Sequence, residues 1–225
     1  MLIIPQGEIG YVFARDGVAL APSRALAANH QAKNFEDVRE FLQAVSQKHL
    51  QRKVLREGVY AVNTAQFLVI TKGVTYALGL STGDEAAIDA MKSDIVNRDG
   101  FTPLVIDSVK DEIGVLTVHD GPGLSTGELI APVVGQDNGR SKHDNFQDPE
   151  AFLACGGSRG CQHQVLADGT YYINRLFATV DLIPKTVSAM GMAGVVISYT
   201  GRSGADLSGE DYQQGELVRP SERGV

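Results

Sequence analysis

Cys155, Cys161 and His163 are the residues that most directly suggest chemistry, because thiolates and imidazoles bind zinc. Their spacing is Cys-x5-Cys-x-His, whereas a structural zinc site usually combines a cysteine pair about two to four residues apart with a distant second pair of ligands. The chain has no further cysteine to complete such a set. We therefore expect no bound metal and no other cofactor, and a metal enzyme or hydrolase that uses these residues or His119 stays an alternative.

His119 and Asp120 are neighbours that would suit an acid–base dyad. Asp120 is, however, followed by glycine directly after an apolar stretch. An Asp-Gly pair there is typical of a turn, because aspartate bonds its own backbone and glycine adopts positive φ. Asp16-Gly17 follows a similar stretch without a preceding histidine. The turn interpretation explains both pairs, so we favour it over the dyad.

No other pattern assembles a nucleophile, a base and an oxyanion donor. Residues 156–160, Gly-Gly-Ser-Arg-Gly, lack the strand-to-helix context that a serine nucleophile requires, and no phosphate-binding loop is present. One basic cluster, in residues 48–56, is the single candidate for an anion-binding patch. We expect it on a solvated strand face, where Glu57 offsets part of its charge. The sequence therefore predicts a protein that is not an enzyme.

Composition excludes several other classes. The chain has 225 residues, of which 43% are hydrophobic, which is ordinary for a globular protein. A net charge of −7 and a pI near 5.2 argue against a nucleic-acid partner, whose phosphates need a basic surface. No apolar run approaches the ~18 residues of a membrane span, and the start at Met1 does not read as a signal peptide.

An internal duplication is the strongest signal in the sequence. Three blocks recur in the same order: residues 9–20 and 113–124, 34–42 and 145–153, and 51–63 and 162–174. The offset is 104 residues for the first block and 111 for the other two, so one insertion near residues 135–143 accounts for the difference.

The residues that the two copies share are architectural in type. Glycines suit turns with positive φ, Asn and Asp suit turns and caps, and Phe and Tyr suit a core or an interface. The shared positions are Gly10, Asp16, Gly17, Asn34, Phe35, Phe41, Gly58, Tyr60 and Asn63, with Gly114, Asp120, Gly121, Asn145, Phe146, Phe152, Gly169, Tyr171 and Asn174 as their equivalents.

Hydrophobic periodicity predicts the elements that carry these positions. Each copy is expected to contain one strand, one short amphipathic helix and then two or three strands. In the first copy these are strands over 9–14, 51–55, 60–62 and 67–71 and a helix over 35–47. Between the copies we expect strands over 74–80 and 101–107 and a helix over 84–97, with Ser81 or Thr82 as its cap and Thr82 and Glu85 as a capping box. In the second copy Asp148 and Pro149 should begin the helix, and Gly156-Gly157 should end it.

The predicted fold class is α+β and strand-rich, with short amphipathic helices packed on antiparallel sheets. We divide the chain into a first repeat (1–72), a strand–helix–strand connector (73–112), a second repeat (113–183) and the truncated start of a third (184–225). The third start is the segment MGMAGVVISYTG at 190–201, and the strand-like opening at 222–225 suggests a fragment of a longer protein.

Several stretches resemble bacterial flotillin-like proteins of the SPFH superfamily, which includes band-seven, prohibitin and stomatin proteins. They are IPQGEIGYVFARDG, NFQDPEAFL, RGCQHQVLADGTYYINRLFATV, and VVISYTG followed by GELV and ERGV. Residues 159–183 are the strongest match. There, Arg159-Gly160, Gln162, Leu166, Gly169, Tyr171 and Ile173-Asn174 fall as in that family.

The resemblance implies tandem SPFH-like domains in a non-enzymatic scaffold. Such a protein organises membrane microdomains or regulates membrane protein complexes such as membrane proteases, and forms a homo-oligomer in its full-length form. The family's membrane anchor and coiled coil are not found in these residues. We therefore expect the parent protein at a membrane, attached through regions absent here, and this fragment itself to be soluble. The alternative is a protein- or ligand-binding module that uses the groove between the repeats or the 135–143 insertion.

Overall fold

The structure is a computed structural model. It describes residues 1–22, 24–30, 33–126 and 128–198, together with the dipeptides 202–203 and 222–223.

The first unit, residues 1–72, is built on a small antiparallel sheet. Its elements are β1 (Leu2–Ile4), β2 (Gly10–Ala14), α1 (Val38–Gln43), β3 (His49–Leu55), β4 (Gly58–Tyr60) and β5 (Phe67–Ile70). Strand β2 is central, with β3 on one side and β5 on the other, while β1 pairs separately with β4.

The connector adds two strands and the longest helix. It contains β6 (Thr75–Tyr76), which extends the first sheet beyond β5, then α2 (Thr82–Asn97) and β7 (Leu104–Ile106). Helix α2 begins at the N-cap Ser81, whose hydroxyl accepts from the Asp84 amide while the Asp84 carboxylate accepts from Ser81. Of the two predicted caps Ser81 is correct, and the capping box predicted between Thr82 and Glu85 is wrong, because Asp84 occupies the third helical position.

The second unit, predicted over 113–183, repeats the pairings of the first, and the strands at its two ends extend one residue beyond the predicted bounds. Its elements are β8 (Glu112–Val118), β9 (Gln136–Asp137), β10 (Arg140–Ser141), α3 (Pro149–Ala154), β11 (Gly160–Cys161), β12 (Gly169–Tyr171) and β13 (Ala178–Pro184). Strand β8 lies between β11 and β13, as β2 lies between β3 and β5. The pair β9–β10 forms a hairpin in the predicted insertion.

Strand β7 has the same role in the second unit that β1 has in the first. Leu2 is opposite Tyr60 in the β1–β4 pair, and Leu104 is opposite Tyr171 in the β7–β12 pair. Structurally, the second unit thus begins at β7, inside the segment that the sequence comparison leaves between the copies.

Most predicted elements exist but are shorter than expected. The helix predicted over 35–47 spans Val38–Gln43, because Asn34 and Phe35 adopt left-handed φ angles of 52° and 62° and Asp37 caps the first turn. The strands predicted over 74–80 and 101–107 shrink to β6 and β7. The predicted bounds 60–62 of the next strand are wrong, since β4 occupies Gly58–Tyr60. Helix α3 has Asp148 as its N-cap and Pro149 in its first turn, as predicted, and it ends at Ala154, shortly before the predicted stop at Gly156-Gly157.

One hydrophobic core joins the two units. It combines Tyr11 and Ile70 of the first unit and Ile95 of α2 with residues such as Phe152 and Phe177 of the second unit. A separate cluster, which includes Phe35, Phe41 and Phe67, lies within the first unit. The two repeats therefore pack on each other.

Tyr11 is a buried hydrogen-bonding link within that shared core. Its hydroxyl donates to the Gly100 carbonyl at 3.0 Å and accepts from the Arg175 amide at 3.2 Å. The first unit is thereby tied to the connector and to the second unit. Burial raises the pKa of Tyr11 from 10.0 to about 12, although the Arg175 amide and the charges of Arg175 and Arg98 oppose that shift.

Stability is expected to fall by about 2 kcal/mol between pH 10 and pH 12 because of Tyr11. In that range the unfolded tyrosine has released its proton and the folded one retains it, so rising pH favours the unfolded chain. Urea unfolding across this range should show the decline for the native sequence and a shallower one for Tyr11→Phe. Equal slopes for both proteins would contradict this assignment.

The chain after β13 is largely exposed where the structure describes it. Met190, Met192, Val195 and Val196 of the predicted third start are all more than 70% exposed. Two short strands, β14 (Arg202–Ser203) and β15 (Glu222–Arg223), pair in parallel. The other residues of 199–225, including the ends of the predicted third start and of the strand-like opening at 222–225, lie outside the described part of the chain. Among the described residues, no helix combines the length and apolar character needed to cross a bilayer.

Candidate functional site

The two units meet at a buried ion pair centred on Arg52. Strand β3 directs this side chain toward the second unit, where Nε donates to Asp120 Oδ2 at 2.5 Å. Nη1 of Arg52 donates to both carboxylate oxygens of Glu150, at 3.1 and 3.2 Å. The Arg52 and Asp120 side chains are 6% and 7% exposed. The predicted solvated position of Arg52 is therefore wrong, because the second unit covers this face of β3.

Asp120 receives contacts from both units. Its Oδ1 accepts from the Gly121 amide, as the predicted Asp-Gly turn requires, and also from Arg24 Nη1 at 3.0 Å. One carboxylate thus holds its own turn and two guanidiniums of the first unit. The equivalent Asp16 makes the turn contact with the Gly17 amide but is exposed.

Asn174 completes the junction with main-chain contacts. Its Nδ2 donates to the carbonyls of Gln51 and Arg52 at 3.3 and 2.8 Å, while its Oδ1 accepts from the Leu176 amide in its own turn. The equivalent Asn63 makes the same local contact, with Ala65, but is exposed. One face of the second unit therefore binds the first unit, and the equivalent face of the first unit is open to solvent.

The acidic neighbours of Arg52 favour its ionised guanidinium. Burial alone would lower the pKa of Arg52. The hydrogen bond to Asp120 and the charges of Glu150 and Asp120 more than offset that effect and raise the pKa of Arg52 above its ordinary value. A buried pair of this kind adds little net stability over an apolar contact, but loss of one partner leaves an uncompensated buried charge. The cluster therefore fixes how the units are placed.

Two cavities lie between the units, and Asp120 of the ion pair lines the first of them. The first, which we call the junction pocket, encloses about 270 Å³ and is lined by Arg24, Ala25, Leu26, His119, Asp120, Gly121, Gly123, Arg159 and Leu176. The second, the tyrosine pocket, encloses about 320 Å³ and is lined by Asn34, Lys53, Val54, Arg56, Tyr60, Asp144, Gln147, Asp148 and Tyr172. Both take residues from each unit, so both lie between the two repeats.

Polar contacts also cross between the units at the tyrosine pocket, where solvent has access. Arg56 lies 5.1 Å from the centre of the Tyr172 ring and pairs with Asp144 at 2.9 Å. The Tyr172 hydroxyl donates to Glu57. The pKa of Glu57 is lowered, first by the Gly7 amide and then by Tyr172. Because these groups are exposed, they add less to the junction than the Arg52 cluster.

The cysteine–histidine group does not form a metal centre in the described residues. Cys155 and Cys161 are free and half-buried, and His163 is exposed. In the part of the chain that the structure describes, no three His, Cys, Asp or Glu side chains come together as a metal site.

Nor does a serine nucleophile emerge in the described residues. Two further Gly-x-Ser-x-Gly segments, 79–83 and 123–127, escaped the sequence reasoning. Only 79–83 precedes a described helix, and its Ser81 hydroxyl is bonded to Asp84 as the cap of α2. His119 contacts Thr179 Oγ1 at 3.1 Å and lies in the junction pocket.

Many of the shared positions have matching local geometry in the two units. Asp120 and Asn174 also bind the first unit, whereas in the described part of the chain their equivalents Asp16 and Asn63 make no such contact with the second. The phenylalanines Phe35, Phe41, Phe146 and Phe152 are at most 1% exposed. Tyr60 and Tyr171 donate to the carbonyls of Arg56 and Ala167, four residues before each. Asn34 and Asn145 share a φ of 52°. Gly17, Gly58, Gly121 and Gly169 have positive φ, whereas at Gly10 and Gly114 an added Cβ would overlap Ile4 and Val180.

Two junction residues, Arg52 and Glu150, were missed because the copies do not share them, whereas Asp120 and Asn174 are shared positions. Arg52 aligns with His163, and Glu150 aligns with Arg39. These differences could have identified the junction residues from the sequence. A contact between two unlike faces needs different residues at equivalent positions of the two copies. Gln51 and Gln162 are buried and were not among the predicted structural positions, although each donates to two nearby carbonyls in the same pattern.

Comparison of this chain with protein-family models, with curated proteins and with solved structures finds no match. The resemblance to SPFH proteins therefore stays a hypothesis based on the sequence motifs.

Proposed function

We propose that this chain is a non-enzymatic scaffold segment of a membrane-associated, self-assembling SPFH or flotillin-like protein. Its role is structural: repeated units dock on one another and form an extended array that organises membrane proteins. The support is the unlike-face contact between the units. The face of the second unit that carries Asp120, Glu150 and Asn174 binds β3 of the first.

Each unit has an open face that is equivalent to one of the two faces joined in the internal junction. These open faces are available to bind units of other molecules. The first unit exposes Asp16, Arg39 and Asn63, which correspond to the docking residues of the second unit. The second unit exposes His163, which corresponds to Arg52. A contact between unlike faces does not close on itself unless rotation brings the ends together, so it generates rings or open filaments. This geometry favours a scaffold over an isolated binding module.

Light scattering of the purified chain over a concentration series tests this proposal. We expect the mean mass to rise with concentration, because the open faces of separate molecules can meet. Asp16→Lys should suppress the rise, since it removes the carboxylate that would accept from His163 of a second molecule, while the exposed change Lys72→Glu should leave it unchanged. A monomer at every concentration would place the assembly contacts outside these units and contradict the proposal.

A further inference from the structure

The junction pocket concentrates positive charge in a chain whose net charge is −7. The guanidiniums of Arg24 and Arg159 and the imidazole of His119 line it, against the one carboxylate of Asp120. That carboxylate is already neutralised, because Oδ1 accepts from Arg24 and Oδ2 accepts from Arg52. An anion in the pocket would therefore meet a net positive surface.

The guanidinium of Arg159 has donors available for a ligand. Its guanidinium lies beside Gly123, where an added Cβ would come within 3.7 Å of Nη2. Across the described residues, no hydrogen bond or ion pair engages this side chain. A guanidinium presents five donors in a planar fork that matches carboxylate and phosphate oxygens. It thus offers two parallel donors to an oxyanion.

Positively charged arginines also surround His119. Its Nε2 is within hydrogen-bond distance of Thr179 Oγ1. Burial, and then the charge of Arg98, lower the pKa of His119. Arg24, Arg159 and Asp120 share its pocket, so an incoming anion would offset the excess of guanidinium charge around the ring.

We propose that the junction pocket binds a phosphate-type oxyanion, held by Arg159 and Arg24 with His119 beside it. The chemistry is that of a phosphomonoester, either free in solution or as a lipid headgroup. A cavity of about 270 Å³ is at the small end of ligand sites, which suits a compact anionic group. Arg24 comes from the first unit and Arg159 from the second, so the bound anion bridges the units. This ligand is additional to the scaffold role and does not depend on it.

Calorimetric titration of the full chain with inorganic phosphate, in a low-salt chloride buffer, tests the site. We expect binding of one phosphate per chain, weakened roughly tenfold or more by Arg159→Ala. That change leaves no buried carboxylate unpaired, so a thermal melt should show an unaltered fold. Arg140→Ala, which removes an exposed arginine from β10, is the matched control and should bind as the native chain does.

Two further arms identify the ligand source and the site. In NMR titrations phosphate should raise the pKa of His119 in the native chain but not in Arg159→Ala.

Co-sedimentation compares phosphatidylcholine vesicles with and without phosphatidic acid. Capture that requires phosphatidic acid and Arg159 assigns a lipid headgroup, and phosphate binding without capture assigns a free anion. Failure to bind either probe, or binding that Arg159→Ala leaves unchanged, overturns the proposal.

Discussion

Replacing Arg52 with alanine is expected to destabilise the protein by about 3–5 kcal/mol. The loss arises because Asp120, 7% exposed, and the half-buried Glu150 would keep their negative charges without the guanidinium that now separates them. Arg24 would still contact Asp120, but from the solvent side, where its own side chain is 36% exposed. Equilibrium urea unfolding measures the effect, with the change read from the midpoint at constant slope.

The control for this prediction is Arg56→Ala. Arg56 lies on the same stretch of chain and pairs with Asp144, but the two side chains are 48% and 58% exposed. An exposed pair contributes at most about 1 kcal/mol, because water screens it. If Arg52→Ala costs no more than Arg56→Ala, the buried cluster does not hold the units together.

Phe152→Ala is expected to cost about 3–5 kcal/mol, through loss of apolar contact and the cavity left behind. The Phe152 ring is 1% exposed and packs against the rings of His143, Phe146 and Phe177 at centroid distances of 5.2–6.0 Å. Phe41→Ala should cost a similar amount in the first unit, where Phe41 lies 5.0 Å from Phe67. Thermal and urea unfolding give both values.

Leu42→Ala is the matched change for the phenylalanine pair. Leu42 is next to Phe41 in α1 but is 42% exposed, so its truncation should cost less than about 1 kcal/mol. Losses of similar size at Leu42 and Phe41 would show that burial does not set the cost, and silent changes at both phenylalanines would refute the assigned core.

Much of the fold is predictable from the duplication, because shared residues mark the backbone features that both units need. Asp-Gly pairs, capping aspartates and paired phenylalanines all occupy the roles that their chemistry suggests. Element lengths were less predictable. The first helix looked long because apolar spacing continued through Phe35 and Val45, but both residues have left-handed φ and lie outside the helix.

Val45 and His49 show why a single sequence can mislead. The second unit has Gly156 and Gly160 at these positions, and all four residues have positive φ, from 59° to 117°. A β-branched residue is strained there, so nothing in the first copy alone indicates such a backbone. The fold keeps the shape of the loop in both units and tolerates the strain in one.

The junction itself was the least predictable feature. Arg52 sits in a strand among other basic residues, which is the usual pattern of a solvated face. Its burial depends on Asp120 and Glu150, which are 68 and 98 residues away. Contacts between folded units depend on how their surfaces meet, and hydrophobic periodicity contains no information on that.

The most direct test of the scaffold account is to give the open faces the charges of the internal junction. In the double variant Arg39→Glu with His163→Arg, each molecule presents a carboxylate and a guanidinium at the positions equivalent to Glu150 and Arg52. Sedimentation velocity over a concentration series measures the association. The account predicts at least roughly tenfold tighter association than in the native chain, with either single variant falling short of it. A double variant that associates no more strongly than the native chain would contradict head-to-tail docking of the units.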